Sequence, residues 1–243
     1  MIQLRQAWAI SVKDVESYYG KPPLITWGLL FPAVLMLAVY VKDPATYLTI
    51  APGIIAMTLL FGNTSMAAIV VTFEKRAGTF ERLLLAPLTF QTIVLGKAAS
   101  AAAYGLATSL ILTTGLGLLL GLRLAQPLLF GLGLLLGAVC FSLLGLTAAV
   151  MVREVFEAMT LMNFFRFPVL FISGVFTPWS QLPAWLKPVA LASPLTYVVE
   201  LLHLGVKGQS EFSSPVIPLL AGIFFLLASW LLALFLFRRR ASL

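Results

Sequence analysis

The sequence predicts an all-α integral membrane protein. It has six transmembrane helices, an N-terminal interfacial amphipathic helix, a short cytoplasmic helix between the second and third spans, and short outer helices before the last span. Three observations carry this. Hydrophobic residues make up 60% of the 243 and charged residues only 10%, where a soluble domain carries about 25% charged residues. Five uncharged runs are long enough to cross a hydrocarbon layer of about 30 Å as helices. In a six-span arrangement with both termini on one side, Lys and Arg also collect on that side.

Residues 1–20 come first. Leu4, Trp8, Val12, Val15 and Tyr19 share one helical face, and Arg5, Gln6, Lys13, Asp14 and Ser17 occupy the rest. That pattern is too polar to span and suits a helix lying in the cytoplasmic interface, although a short soluble helix fits the same spacing. Without a continuous apolar core, this stretch does not read as a cleavable signal peptide. The spans follow at 24–41, 47–73, 98–122, 127–152 and 216–237. Their length and continuity suit helices rather than barrel strands, which alternate in segments of about ten residues. Gly117 with Gly121, and Gly133 with Gly137, are four apart and could allow close helix packing; glycine is also simply common in membrane helices.

The sixth span, 158–176, contains Asn163 and Arg166. Including it puts Arg5, Lys13, Lys21, Lys75, Arg76, Arg82, Lys97, Arg153, Arg166, Arg238, Arg239 and Arg240 inside, twelve of the sixteen Lys and Arg. Lys42, Arg123, Lys187 and Lys207 fall outside. Five spans would put the Arg238–Arg240 run outside, against the positive-inside rule. Arg166 is expected to snorkel to the inner interface. The net charge of +7 is thereby explained by topology and not by nucleic acid.

Between the second and third spans, residues 74–89 are the most charged segment. Gly78 breaks the outgoing run, Thr79 can cap a short helix that Pro87 ends, and Thr89 can cap the helix that returns. Glu81 and Arg82 would face water while Phe80, Leu83 and Leu84 pack. A bare hairpin needs only a few residues, so an ordered charged helix here invites a cytoplasmic partner, unless it only satisfies the positive-inside rule. In the second cytoplasmic link Arg153 and Glu157 are four apart and can pair. The outer segment 177–214 is divided by Pro178, Pro183, Pro188 and Pro194, with Trp179 and Trp185 marking an interface. Ser193 and Pro194 start a helix on which Thr196, Glu200, His203 and Lys207 form one polar stripe, suited to the outer leaflet or to closing the outer end of a cavity. His203 alone is not a metal site.

Several chemistries lack their residues. A phosphate-binding loop needs a glycine five residues before a Gly-Lys pair and Ser or Thr after it; Gly96-Lys97 has Gln91 and Ala98 there, and Gly20-Lys21 has Val15 and Pro22. Cys140 lies mid-span, remote from His203, so no Cys–His catalytic pair forms and no internal disulfide is available. No paired carboxylates fall at mid-span, which counts against an ion-coupled carrier.

Three stretches resemble the membrane subunits of ABC type-2 exporters. The run from Glu74 to Leu88 resembles that family's cytoplasmic "E…GTxExLLxxPL" segment, followed by a Gly-Lys like Gly96-Lys97. Phe171-Ile172-Ser173-Gly174-Val175-Phe176 with the Pro178–Pro183 turn resembles its fifth-span exit. Ser193-Pro194-Leu195-Thr196-Tyr197-Val198-Val199-Glu200 resembles its "NPLTYxVD" stretch, with Ser for the usual Asn and Glu for the usual Asp. The likeness runs through the whole chain in span order. It implies a permease that pairs with a second copy, as a homodimer, on two separate ATP-binding-cassette subunits holding the ATP and magnesium, with no cofactor or catalysis in this chain. The matched coupling positions are Gly78, Thr79, Phe80, Glu81, Arg82 and Pro87. Substrate is expected to cross along the second and fifth spans, near Asn63, Thr64, Asn163, Phe164, Phe165 and Phe171. The setting implied is a bacterial or archaeal inner membrane with both termini cytoplasmic and a drug, lipid or polysaccharide as cargo. A passive channel or membrane scaffold without an ATPase is the alternative.

Overall fold

A computed structural model describes residues 2–44 and 46–241; Met1, Ala45, Ser242 and Leu243 lie outside the description, and of Ile2, Arg240 and Ala241 only the backbone is described. Among the described residues the ordered elements are all helical: α1 (Ile2–Tyr18), α2 (Pro22–Lys42), α3 (Tyr47–Arg76), α4 (Thr79–Leu85), α5 (Phe90–Leu120), α6 (Pro127–Met151), α7 (Val155–Ile172), α8 (Lys187–Leu191), α9 (Pro194–Lys207) and α10 (Val216–Ala241). Six of these, α2, α3, α5, α6, α7 and α10, are long and apolar enough to cross a membrane. Even parity puts α1, α4 and the end of α10 at one end of the bundle, called here the terminal end.

Helix α2 contains a π turn at Thr26–Leu30. Pro32 has no N–H to return to Gly28, and widening the turn is the local remedy. Helix α3 is the axle of the fold: α2, α5, α6, α7 and α9 pack around it, and nearly every residue from Ala51 to Thr72 is buried. A span sequestered from lipid on all sides can carry polar groups that the bilayer would reject, and Thr58, Asn63, Thr64, Ser65 and Thr72 are all inside. Pro52 breaks the backbone ladder near its far end.

Three boundaries differ from the sequence expectation. The second span continues through Glu74, Lys75 and Arg76, so α4 covers only Thr79–Leu85, not the whole of 74–89. Gly78 takes the N-cap position with φ of 66°, and Thr79 is the first helical residue instead of the cap. Lys97 stands seven residues inside α5, which begins at Phe90 with Thr89 as its cap, its Oγ1 accepting from the Thr92 N–H at 3.2 Å. At the second link, Glu157 accepts from the backbone N–H groups of Arg153 (3.0 Å) and Glu154 (3.4 Å). That is a capping box on α7 in place of the expected side-chain pair.

Helix α9 is buried from Leu195 to Val206, wedged among α3, α6 and α10. Gly133 and Gly137 on α6 make room for it: a Cβ there would stand 2.9 Å from Leu201 Cβ or Val198 Cγ1. Gly117 and Gly121 do no such packing; Gly121 instead ends α5 with φ of 72°. Of the polar stripe of α9, Lys207 is exposed and the other three residues are satisfied internally. Thr196 Oγ1 donates to the Ala190 carbonyl (2.6 Å), Glu200 Oε1 accepts from Ser210 Oγ (2.6 Å) and the Glu211 N–H (2.7 Å), and His203 Nε2 meets the Thr49 carbonyl at 3.0 Å beside the Pro52 break.

Candidate functional site

At the terminal end, α1 crosses the start of α5. Ser11 Oγ donates to the Gly96 carbonyl at 2.7 Å and Tyr19 OH to the Ser100 carbonyl at 2.8 Å. The crossing is tight, since a Cβ on Gly96 would stand 2.8 Å from the Ala7 carbonyl oxygen. The face that α1 presents inward carries Ala7, Ile10, Ser11 and Asp14, all buried, while Leu4 and Trp8 project away, 70% and 72% exposed. Asp14 therefore does not belong to a water-facing side, as the apolar spacing of Leu4 to Tyr19 suggested.

Asp14 is one of four charges gathered from three helices. Lys97 Nζ on α5 lies 3.2 and 3.1 Å from the two Asp14 oxygens and 2.5 Å from Glu74 Oε2 at the end of α3. The contact to Glu74 Oε2 is an ion pair without hydrogen-bond alignment. Lys13 bridges the same carboxylates, 2.8 Å from Asp14 Oδ1 and hydrogen-bonded to Glu74 Oε1. Ser100 Oγ adds a donor to Asp14 at 3.3 Å. Two cations thus neutralise two carboxylates, with Asp14, Glu74 and Lys97 almost wholly buried and Lys13 at the rim. Burial alone would lower the Lys13 ammonium, but the hydrogen bonds and charges of Asp14 and Glu74 prevail and hold it above the usual lysine range.

Helix α4 hangs from this cluster. Thr79 Oγ1 donates to the Glu74 carbonyl at 3.3 Å. Phe80 is buried edge-on against Phe237 of α10, centroids 6.1 Å apart, with Lys75 Nζ 5.8 Å from its ring centre. Lys75 also closes the C-terminus of α6, donating to the carbonyls of Ala149 (2.6 Å), Val150 (3.1 Å) and Val152 (2.8 Å), where a cation offsets the helix dipole. Glu81 and Arg82 face outward from α4, and Leu83 and Leu84 are half-buried. Beside them, a groove of about 470 Å³ runs between α4 and the α6–α7 link, with Arg76, Glu81, Leu84, Arg153 and Glu154 on its walls.

A second space lies between spans and opens partly to the surface, where Met151 and Phe165 on its wall are exposed. A cavity of about 400 Å³ separates α3, α6 and α7, lined by Leu60, Thr64, Phe141, Leu144, Met162, Phe165, Arg166 and Val169, with Pro194 and Leu195 of α9 at its edge. Arg166 is 3% exposed. Its guanidinium lies 5.0 Å from the Phe61 ring centre, and Nη1 donates to Asn163 Oδ1 at 3.4 Å. The snorkelling expected of Arg166 is thereby overturned. The residue stands eleven positions beyond Val155, about 16 Å along the helix, and its side chain turns to α3 instead of the terminal face.

The sequence profile of the ABC-2 type transporter family matches residues 5–205, from α1 into α9. The chain belongs to that family. Among its relatives is the inner membrane transport permease YadH of Escherichia coli K12, 24% identical over 220 residues that cover 86% of this chain and 85% of YadH. A protein of Pyropia yezoensis named as transport permease ycf38 is 24% identical over 212 residues, covering 81% of this chain and 72% of that one. The ycf38 permease of Cyanophora paradoxa is 26% identical over 155 residues, 61% and 52% of the two chains. Membership makes the protein a multi-pass transporter membrane subunit, of the kind that works with ATP-binding-cassette partners.

In this ABC-2 permease the residues singled out from the sequence fall in three places. Gly78, Thr79, Phe80, Glu81 and Arg82 cluster on α4, and Pro87 follows it, forcing Ala86 into extended backbone at ψ of 153°. Thr64 and Phe165 reach the cavity. Asn63 does not: it is fully buried with its amide beside Gly105 of α5, where a Cβ would stand 1.7 Å from Oδ1. Asn163 is half-buried and serves Arg166, while Phe164 and Phe171 point away from the protein, 73% and 62% exposed. The sequence reading missed the Asp14–Glu74–Lys97 cluster and the buried state of Arg166. One signal was available, a lysine seven residues into an otherwise apolar helix, which demands a buried partner.

Proposed function

We propose that this permease is the membrane half of an ATP-driven exporter, two copies pairing on two nucleotide-binding subunits that hold the ATP and magnesium. The observation that carries this is α4: a short helix whose outer side offers Glu81 and Arg82 while its inner side is fastened to α10 through Phe80 and to α3 through Glu74. A docking subunit that grips the charged side moves those spans with it, which is the requirement for passing domain closure into helix tilting. The groove beside α4, with charges of both signs, suits an insertion from such a subunit. Gly78, Thr79 and Pro87 set the length and angle of the helix, so they shape the docking element without contacting the partner chemically.

The terminal end is assigned to the cytoplasm. With Arg166 removed from the count, the remaining eleven Lys and Arg of that side still outnumber the four on the other, the positive-inside pattern. A bacterial or archaeal inner membrane is the natural setting. Export proceeds along α3 and α7, where Thr64 and Phe165 line the central cavity and Phe164 and Phe171 face outward to meet the second copy.

The test is purification of the tagged permease in mild detergent with its candidate nucleotide-binding subunit, followed by ATPase assay. Glu81→Ala with Arg82→Ala should abolish co-purification or lower permease-stimulated hydrolysis about tenfold or more, with an unchanged unfolding midpoint; each lost charge-assisted contact costs roughly 1.5–3 kcal/mol. Full stimulation by the doubly substituted permease, or a permease that purifies alone and conducts ions passively, would defeat the proposal.

A further inference from the structure

The central cavity contains one feature that an apolar packing defect does not explain. Arg166 is a permanently charged group placed between α7 and α3, 3% exposed, and among the described residues no carboxylate pairs with it. Its Nη1 has a single 3.4 Å contact with Asn163, and the guanidinium lies over the Phe61 ring. Its Nε and Nη2 have no partner. These two atoms form one edge of the guanidinium, the parallel pair of donors that matches the two oxygens of a carboxylate or phosphate. A buried arginine in a membrane protein is retained against a large desolvation cost, and ordinarily marks a site for charge.

The surroundings fit the rest of a ligand. Beside Arg166 the walls are Leu60, Phe141, Leu144, Met162 and Val169, and the volume of about 400 Å³ is within the range of small-molecule sites. Pro194 and Leu195, the first residues of the fourteen-residue α9, close one side. The partial positive charge of that helix end adds to the field of the guanidinium. A cation finds no carboxylate partner in the lining. We infer that the cavity between α3, α6 and α7 binds an amphiphile with one ionised acid group, the acid on the Nε–Nη2 edge of Arg166 and the apolar chain among the α6 and α7 side chains. Binding turns the guanidinium from Phe61 toward the cavity, a movement available to the long arginine side chain. If the permease exports as proposed above, anionic amphiphiles are its substrate class; that second step rests on the exporter reading, and the binding itself does not.

The same chemistry is carried by single-chain acids and by acidic bilayer lipids, and the experiment separates them. The whole permease, in nanodiscs of phosphatidylcholine and without any ATPase, is titrated with radiolabelled laurate. Saturable binding is expected, displaced by dodecyl phosphate and not by dodecanol or dodecyltrimethylammonium. Doping the discs with phosphatidylglycerol should lower laurate binding if acidic lipid is the occupant and leave it unchanged if a single-chain acid is. Arg166→Gln should weaken laurate about tenfold or more, as expected for losing a charge-assisted pair. Arg166→Lys, which keeps the charge but not the fork, should fall between. Ala148 of α6 also lines the cavity, and Ala148→Phe, which fills it with Arg166 intact, should also weaken binding, so the inference does not depend on one variant folding. Equal affinity for laurate and dodecanol, undiminished laurate binding in folded Arg166→Gln, or no saturable binding would overturn it. None of these results bears on coupling through α4, which the ATPase assay reads separately.

Discussion

Replacing Lys97 by Met removes the cation that Asp14 and Glu74 share. Lys97 is 1% exposed, about 3 Å from both oxygens of Asp14 and 2.5 Å from Glu74 Oε2. At an effective dielectric constant of about 20, each such pair is worth roughly 5 kcal/mol of Coulomb attraction. Most of that is offset by stripping water from the ions, so the intact cluster adds little net stability. Breaking it is another matter. Two buried carboxylates would then share only Lys13, which stands half in water, and the expected loss is about 3–5 kcal/mol. Removing Asp14 together with Lys97, as Asp14→Asn with Lys97→Met, leaves Lys13 paired with Glu74 and the cluster neutral again. The double variant should therefore be less destabilised than the sum of its parts, by roughly 0.5–3 kcal/mol of coupling. Unfolding of the purified permease by SDS titration in mixed micelles measures all four corners of the cycle. Additive single effects would mean that the charges do not act as a unit, and the account of how α1, α3 and α5 are joined would fail.

Two further outcomes follow from single residues. Gly96→Val should push α1 off α5, because the added carbon would meet the Ala7 carbonyl and Ile10 Cβ at 2.8 Å; overpacking of this kind costs about 1–3 kcal/mol, and faster proteolysis of residues 1–20 would report it. His203 is depressed below its usual value of 6.5, first by burial and then by the Lys207 charge, against the Thr49 carbonyl, Glu200 and Glu211. The unfolded chain then binds the proton more readily than the native one, so stability should be complete above about pH 6.5 and decline as pH falls below it. His203→Gln, which keeps a donor for Thr49, should flatten that decline in unfolding midpoints measured from pH 7 to pH 5.

The spans were legible because hydrocarbon imposes a length and a composition that few other structures share, and 24–41 or 127–152 satisfy both without a charge. Partnership between distant charges was not legible. Lys97 finds Asp14 eighty-three residues away in sequence, and local periodicity contains no trace of that pairing, so the third span was expected to begin at 98, just past Lys97, and Asp14 was placed on a polar face, whereas the Thr89 cap of the returning helix was legible. Arg166 failed for a related reason. In a six-span topology a lone arginine within a span defaults to snorkelling, and only the fold could reveal that α7 aims it at Phe61. The polar stripe of α9 was visible as a pattern. Its meaning changed once Ser210, Glu211, Ala190 and Thr49 were seen to satisfy Glu200, Thr196 and His203, because a stripe with internal partners is a wedge held in the bundle and not a wet face.

These contacts also limit how α4 can act in the proposed exporter. Its seven residues are too few to hold a helix on their own, so any force on Glu81 and Arg82 must leave through the anchors. Beside the packing of Leu83 and Leu84 on the core, three are specific contacts: Thr79 onto the Glu74 carbonyl, Phe80 onto Phe237, and the Lys75 side chain reaching both the Phe80 ring and the last carbonyls of α6. Two of the three begin on the final turn of α3. That helix is buried from Thr72 past Thr64 and Leu60 at the cavity to Ala51, just short of the Thr49 carbonyl held by His203. A displacement of α4 is therefore delivered mainly along α3, and the ion cluster sets whether α1 and α5 move with it or resist. A cluster that is buried, neutral and weakly stabilising suits this place: it holds three helices in register while contributing little to the free energy that separates one register from another.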